Sequence, residues 1–200
     1  MIITDRDRRI INYIDKVKYA TTKNIAELFF NNGNKNYYIL AINRLKKLVS
    51  YGKIKSKPAH INKHGRPMTI YFIDGDIDKS NLKHAIALAN LSAELEKNDV
   101  NILSVEPEKY LSKKVRTDAI YKVNYNGRNR LFVVEFDITK KFTITKYEYL
   151  YKSGEWKDSF KKFPRIVSIS NDKPKKSDIV NVIYVDSNLE NIENLLKGIK

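Results

Sequence analysis

The sequence contains no cysteine, and only 7 glycines, 5 prolines and 3 histidines occur in its 200 residues. The lack of cysteine excludes a disulfide framework, a thiolate metal site and a cysteine nucleophile. No Gly-x-Gly-x-x-Gly or Gly-x-x-x-x-Gly-Lys pattern is present, so we expect no nucleotide hydrolysis on a glycine-rich phosphate loop. No apolar run approaches the roughly 20 residues of a membrane-spanning helix, and charged residues follow Met1 closely. We therefore expect a cytoplasmic protein without a membrane partner.

Acidic residues are scarce relative to basic ones, because 23 Asp and Glu against 38 Lys and Arg leave a formal charge of +15. Residues 1–75 alone hold 15 Lys and Arg against 5 Asp and Glu, a balance of +10. Such an excess on one part of the chain predicts an anionic partner, for which we favour double-stranded DNA. A polar stretch over 74–81 predicts a boundary between a first domain, 1–75, and a second domain, 80–200.

Helical periodicity predicts three helices in the first domain. The first covers about Asp5 to Lys18, and Thr21 or Thr22 caps a short second helix. The third helix is centred on Leu45, which lies in the middle of its buried side. The side opposite Leu45 is polar and includes Asn36, Asn43 and Lys47. Arg44 and Lys46 flank that side, and Lys35 lies at the start of the helix. Ile39 and Leu40 lie beside them and are candidates for contact with thymine methyl groups.

A basic hairpin is predicted after the third helix. Strand-like segments at 53–59 and 68–73 flank a tip that contains Lys63 and Arg66. Three helices and a basic hairpin indicate a winged helix-turn-helix, in which the third helix enters the major groove and the hairpin contacts phosphates or the minor groove. The predicted DNA-binding residues are therefore Lys35, Asn36, Asn43, Arg44, Lys46, Lys47, Lys63 and Arg66. Some proteins of this fold contact only other proteins, which remains an alternative.

The second domain is predicted to alternate strands and helices in the order αβββαββα. The segments are 82–98, 101–105, 117–125, 130–138, 139–152, 164–170, 180–185 and 188–200. Asn126-Gly127 between the second and third strands is a strong signal for a type I′ turn. The closing helix is amphipathic, and its apolar stripe serves either as core or as the seam of a homodimer.

Three carboxylates in this domain form a candidate metal site. Asp118 begins one hairpin strand, while Glu135 and Asp137 are two apart in the next and point to the same side. Oxygen ligands of this kind bind Mg²⁺, which activates water for attack on a phosphodiester. In a nuclease the catalytic residues would be Asp118, Glu135, Asp137 and Lys140, with Mg²⁺ as the cofactor. We favour the other interpretation, a non-catalytic cluster that is ion-paired to lysine or arginine and requires no metal or cofactor.

Asp118 and the run Glu135-Phe136-Asp137, within an αβββαβ order, resemble the restriction-endonuclease-like fold. The motif of that fold is an Asp followed by Asp or Glu, any residue and then Lys. Here Asp137 occupies the position of the lysine, and an acidic side chain cannot neutralise phosphate charge. The candidates to replace that lysine are Lys140, Lys141 and Lys146.

Over most of its length the chain resembles the replication-relaxation family of plasmids and other mobile elements. The segments that carry the resemblance are Leu82–Ala87 with its His84, Arg116–Ala119, Glu135–Asp137 and Lys146–Tyr149. The resemblance implies a role in replication, relaxation or transcriptional control of a mobile element. We expect a sequence-preferring binder of double-stranded DNA whose endonuclease-like domain is non-catalytic. The alternatives are a Mg²⁺-dependent endonuclease or nickase that uses Asp118 and Glu135, and an interaction module that recruits a replication or conjugation protein.

Overall fold

The computed structural model describes residues 2–59, 67–137 and 142–200. These residues form an α+β structure with six α-helices, which confirms the predicted mixture of helices and strands. The chain divides into two compact units, Met1–Asn98 and Asp99–Lys200. Across the described ranges, no helix has the length and apolar character needed to cross a membrane.

The first unit combines four helices with a small sheet. Its elements are α1 (Asp5–Val17), β1 (Ala20–Thr21), α2 (Thr22–Phe29), α3 (Tyr37–Ser50), β2 (Lys55–Ala59), β3 (Met68–Phe72) and α4 (Leu82–Lys97). The three strands pair antiparallel in the order β1-β3-β2. The predicted helices and the two hairpin strands are confirmed. The predicted basic tip between β2 and β3 lies outside the described residues.

Side-chain caps set the starts of the first two helices. Asp7 accepts a hydrogen bond from the backbone N–H of Thr4 at 2.7 Å, and the Thr4 hydroxyl accepts one from Asp7 N–H. The same reciprocal box joins Thr21 and Asn24 at the start of α2. Of the two threonines that the sequence offered, Thr21 is therefore the cap. Each box satisfies two backbone groups that a helix start otherwise leaves unpaired.

The helix α4 belongs to the first unit, whereas the sequence pattern assigned it to the second domain. Its Asn90 accepts a hydrogen bond from Asn24 of α2 at 3.2 Å, and its Lys97 lies 2.6 Å from Glu27. It also contributes to a shared core cluster of Ala59, Ile70, Phe72, Ile77, Ala85 and Ile86. The polar stretch over 74–81 is thus a connection inside the first unit, which returns the chain to the same core.

The second unit is built on a mixed five-stranded sheet. Its elements are β4 (Asn101–Pro107), β5 (Ala119–Tyr125), β6 (Arg128–Asp137), α5 (Thr145–Ser153), a 3₁₀ turn (Glu155–Asp158), β7 (Arg165–Ser170), β8 (Val182–Asp186) and α6 (Glu193–Ile199). The strand order is β4-β5-β6-β7-β8. The pairs β4–β5 and β5–β6 are antiparallel, and the pairs β6–β7 and β7–β8 are parallel.

Local sequence explains where the elements of the second unit turn and end. Asn126 and Gly127 both have positive φ, 50° and 72°, as the predicted type I′ turn between β5 and β6 requires. Gly154 adopts the left-handed conformation, with a φ of 74°, and ends α5. The helix α5 covers Thr145–Ser153, and residues 139–141 of the predicted helix 139–152 lie outside the described residues.

Both faces of the sheet carry packed side chains within the second unit. On one face Tyr147 and Leu150 of α5 are fully buried in a cluster with Ile120, Val133 and Ile166. On α6, Leu195 and Ile199 are buried, and a side chain at Gly198 would collide with Ile183 of β8. Part of the amphipathic stripe of α6 therefore serves as core.

Candidate functional site

The outer side of α3 is exposed, as the helical pattern predicts. The buried residues of α3 are Ala41, Leu45 and Leu48. Asn43, Lys46 and Lys47 are exposed, as are Lys35 and Asn36 just before the helix. Asn43 and Lys47 are one turn apart, so they lie on the same stripe. This stripe presents an amide and an ammonium group, the two groups that pair with adenine and guanine in the major groove.

Three consecutive apolar residues are exposed in the first turn of α3. Tyr38, Ile39 and Leu40 are 44%, 57% and 43% exposed. Exposed apolar side chains of this size are candidates for contact with a partner. Their position next to Asn43 is suited to contact with the methyl groups of thymine.

Arg44 differs from the other predicted DNA-binding residues because it forms an ion pair inside the first unit. Its Nε donates to Oδ1 of Asp7 at 2.6 Å, and a terminal guanidinium nitrogen donates to Oδ2 of the same carboxylate. The Asp7 side chain is fully buried and that of Arg44 is 24% exposed. The hydrogen bonds from Arg44 hold the pKa of Asp7 far below its usual range, and those from Asp7 raise the pKa of Arg44. The pair gives Arg44 a structural role that the sequence did not predict.

In the second unit, Glu135 is held by two residues of α5. The Glu135 side chain is 6% exposed, and its Oε1 lies 2.8 Å from Lys146 Nζ. The same oxygen accepts a hydrogen bond from the Tyr147 hydroxyl. Burial raises the pKa of Glu135, against the opposing effect of the Lys146 ammonium. Burial also raises the pKa of Tyr147, which therefore remains a hydrogen-bond donor.

Asp118 lies beside Glu135 at the edge where β5 begins. The register pairs Ala119 with Val134, and Asp118 Oδ2 accepts a hydrogen bond from the backbone N–H of Phe136 at 2.7 Å. Lys146 also donates to the Arg116 carbonyl at 3.2 Å, so its ammonium is fixed close to both strands. Three lysines were candidates to replace the missing motif lysine. Of these, Lys146 lies in the described part of the chain, and it contacts Glu135.

The predicted convergence of all three carboxylates is not found. Asp137 ends β6, and no group of three or more metal-ligating side chains occurs in the part of the chain that the structure describes. Asp118 and Glu135 alone are still a suitable oxygen pair, since Mg²⁺ is commonly bound by one or two carboxylates. Lys140, Lys141, Lys63 and Arg66 lie outside the described residues.

Comparison of the chain with protein-family models, curated proteins and solved structures gives no match. The resemblance to the replication-relaxation family therefore stays a prediction. The two candidate functional sites of the described residues are the exposed side of α3 and the Glu135–Lys146 pair.

Proposed function

We propose that the protein binds double-stranded DNA with sequence preference and that α3 is the helix that contacts base edges. The observation that carries this proposal is the exposed Asn43–Lys47 stripe on a helix whose opposite side is buried. An amphipathic helix needs only a polar outer side, but this side combines an amide, lysines and exposed apolar residues. That combination matches the donors, acceptors and methyl groups of the major groove.

The arrangement of the first unit supports a winged helix-turn-helix as the finer description of its fold. Three helices, a short strand between the first two and a following antiparallel hairpin give the order α1-β1-α2-α3-β2-β3. The hairpin lies next to the recognition helix in sequence and carries the basic residues Lys63 and Arg66 at its tip. We propose that α3 occupies the major groove and that this tip contacts the backbone beside it.

The proposed biological setting is a plasmid or other mobile element, with a role in replication, relaxation or transcriptional control. It derives from the resemblance to the replication-relaxation family. A homodimer on a two-fold symmetric site fits this setting, because paired half-sites double the contacts that a small unit makes. Replication or conjugation proteins are the further partners that the setting implies.

The experiment that tests DNA binding is selection from a randomised duplex library by the 200-residue chain. Sequence-preferring binding predicts enrichment of one short motif, or of an inverted repeat if the protein binds as a dimer. The affinity for that motif should exceed the affinity for unselected duplex by at least about 10³-fold. Enrichment without a shared motif would limit the proposal to non-specific binding. No retention of duplex at about physiological salt would leave the interaction-module alternative as the better account.

A second candidate function is Mg²⁺-dependent cleavage of DNA, and one observation favours it. Lys146 lies 2.8 Å from Glu135 and supplies the cation that Asp137 cannot supply. Asp118 and Glu135 would hold the metal, which would act as a Lewis acid on the phosphodiester. Glu135 also accepts the hydrogen bond of the Tyr147 hydroxyl, so the pair has a structural role as well.

Incubation with supercoiled plasmid and Mg²⁺ or Mn²⁺ tests this second candidate. Cleavage predicts nicked or linear product that the variants Asp118→Asn and Lys146→Met both lose. The variant Lys152→Met removes an exposed lysine from the same helix and is expected to retain the activity. Intact plasmid in every lane, or product that survives Asp118→Asn, would reject a nuclease centred on these residues.

A further inference from the structure

An open groove of about 570 Å³ borders the Asn43–Lys47 stripe. The start of α1, the side chain of Phe30 and one side of α3 line it. Leu40, Asn43 and Lys47 form the wall on α3, at the spacing of one helix face. The opposite wall is the start of α1.

The acidic side chains of the groove already have basic partners. Asp7 is bonded to Arg44, and Asp5 is ion-paired with Arg8. Arg6 and Lys47, by contrast, form no ion pair with a carboxylate among residues 2–59, 67–137 and 142–200. These two cations therefore determine the charge that the groove presents to a ligand, and a ligand of negative charge is favoured.

Arg6 is held in place by an aromatic ring. Its guanidinium carbon lies 4.7 Å from the centroid of the Phe30 ring, and its side chain is exposed. A ring contact of this kind engages one side of the guanidinium group, so the N–H donors that point away from the ring remain available to a ligand. A guanidinium that is already oriented loses less conformational entropy when it binds, and its planar fork matches two phosphate oxygens.

We infer that Arg6 contacts a phosphate of the DNA strand that runs along the groove between α1 and α3, beside the bases that Asn43 and Lys47 contact. The inference rests on the proposed function, and it adds the residue that fixes the depth and register of α3 in the major groove. Phosphate contacts of this type position a protein on the duplex and carry no sequence information themselves. Arg6 therefore contributes to affinity for every duplex, whereas Asn43 contributes to the choice of site.

The variant Arg6→Gln tests the inference by fluorescence anisotropy on a mixed-sequence duplex over a series of salt concentrations. We expect affinity to fall by about five- to tenfold and the slope of log K against log salt to decrease by about 0.9, the value for one phosphate contact. The loss should be equal on a selected site. Arg6→Lys keeps the charge without the fork, so it should retain the salt slope with a smaller loss of affinity.

The matched control is Arg9→Gln. Arg9 is also exposed on α1 and lies over an aromatic ring, that of Phe29 at 5.6 Å, but it does not line the groove. The Arg9→Gln variant should keep the wild-type slope of log K against log salt. Asp5→Asn removes a negative charge from the groove and should bind duplex as tightly as wild type or more tightly.

Equal effects of Arg6→Gln and Arg9→Gln, or an unchanged slope for Arg6→Gln, would overturn the inference. The proposed function would still stand if the wild-type protein bound the mixed-sequence duplex and the Asn43→Ala variant lost its preference for the selected site. Only the phosphate contact of Arg6 would then be rejected. The thermal unfolding midpoint of each variant is measured first. Duplex affinities are then compared at a temperature below all of these midpoints, so that a loss of affinity reports a lost contact and not unfolding.

Discussion

Arg44 of α3 and Asp7 of α1 are 37 residues apart in the chain, and the Arg44 Nε donates to Asp7 Oδ1 at 2.6 Å. A second hydrogen bond joins the same two side chains, and Asp7 also accepts from Thr4 in the cap of α1. The carboxylate thereby ties the start of α1 to the middle of the proposed recognition helix. The groove that contains Arg6 and Lys47 has this ion pair among its lining residues.

The first prediction concerns the stability that this pair provides. Arg44→Met leaves a buried carboxylate without its cation, and we expect a loss of about 3 kcal/mol in the free energy of unfolding of the first unit. The measurement is urea unfolding followed by far-ultraviolet circular dichroism. Arg8→Met is the control, since it breaks the exposed pair with Asp5 and should cost less than about 1 kcal/mol. Equal losses would contradict a structural role for Arg44.

The second prediction concerns pH. The pKa of Asp7 is lowered in the folded protein, so the folded state keeps the carboxylate charged where the unfolded chain takes up a proton. The resulting stabilisation is complete above the ordinary aspartate pKa of about 3.9 and is lost as the pH falls below it. Asp7→Asn should therefore be less stable at neutral pH and lose less stability on acidification than wild type. The control is Asp5→Asn, at a side chain that is 93% exposed, and its free energy of unfolding should depend on pH as that of wild type does. If Asp7→Asn lost as much stability as wild type on acidification, the result would be inconsistent with the ion pair.

Charge, periodicity and turn chemistry predicted much of the fold. The polar side of α3 follows from the spacing of its apolar residues, and the type I′ turn follows from Asn126-Gly127, because both signals are local. The pairs Arg44–Asp7 and Lys146–Glu135 depend on which elements pack together, and no local pattern contains that information. The assignment of α4 to the second domain was wrong for the same reason. A polar stretch predicts a connection, but it does not predict which core the next helix packs against.

A third prediction concerns the buried hydroxyl of Tyr147, which donates to Glu135. Tyr147→Phe removes a hydrogen bond to a buried carboxylate and should destabilise the second unit by about 1.5–3 kcal/mol. Tyr149→Phe is the matched control on the same helix, because its hydroxyl bonds Glu155 in an exposed position. Thermal unfolding followed by the fluorescence of Trp156 provides the measurement.

The pH dependence of the Tyr147→Phe effect has a defined sign. The pKa of Glu135 is raised, and loss of the hydroxyl raises it further, because that hydrogen bond favours the charged form. The difference in stability between wild type and variant should therefore narrow as the pH falls through the pKa of Glu135. A difference that stays constant or widens on acidification would mean that the hydroxyl does not stabilise a charged Glu135.

A fourth prediction addresses the hairpin tip, whose Lys63 and Arg66 are predicted phosphate contacts. Replacement of both by alanine should reduce the salt dependence of duplex binding by nearly two phosphate contacts, about 1.8 in the slope of log K against log salt. Site preference should change little, since phosphate contacts do not read sequence. An unchanged slope would remove the tip from the proposed interface.

The most direct test of the central claim compares two double variants on a selected DNA site and on unselected duplex. Asn43→Ala with Lys47→Ala removes the proposed base contacts, while Asn12→Ala with Lys16→Ala removes the same exposed residue types at the same spacing from α1. At about 1–3 kcal/mol for each base contact, the first variant should lose at least about 30-fold more affinity for the selected site than for unselected duplex. The second should keep the wild-type ratio. Equal losses of the first variant on both duplexes would contradict base recognition by α3.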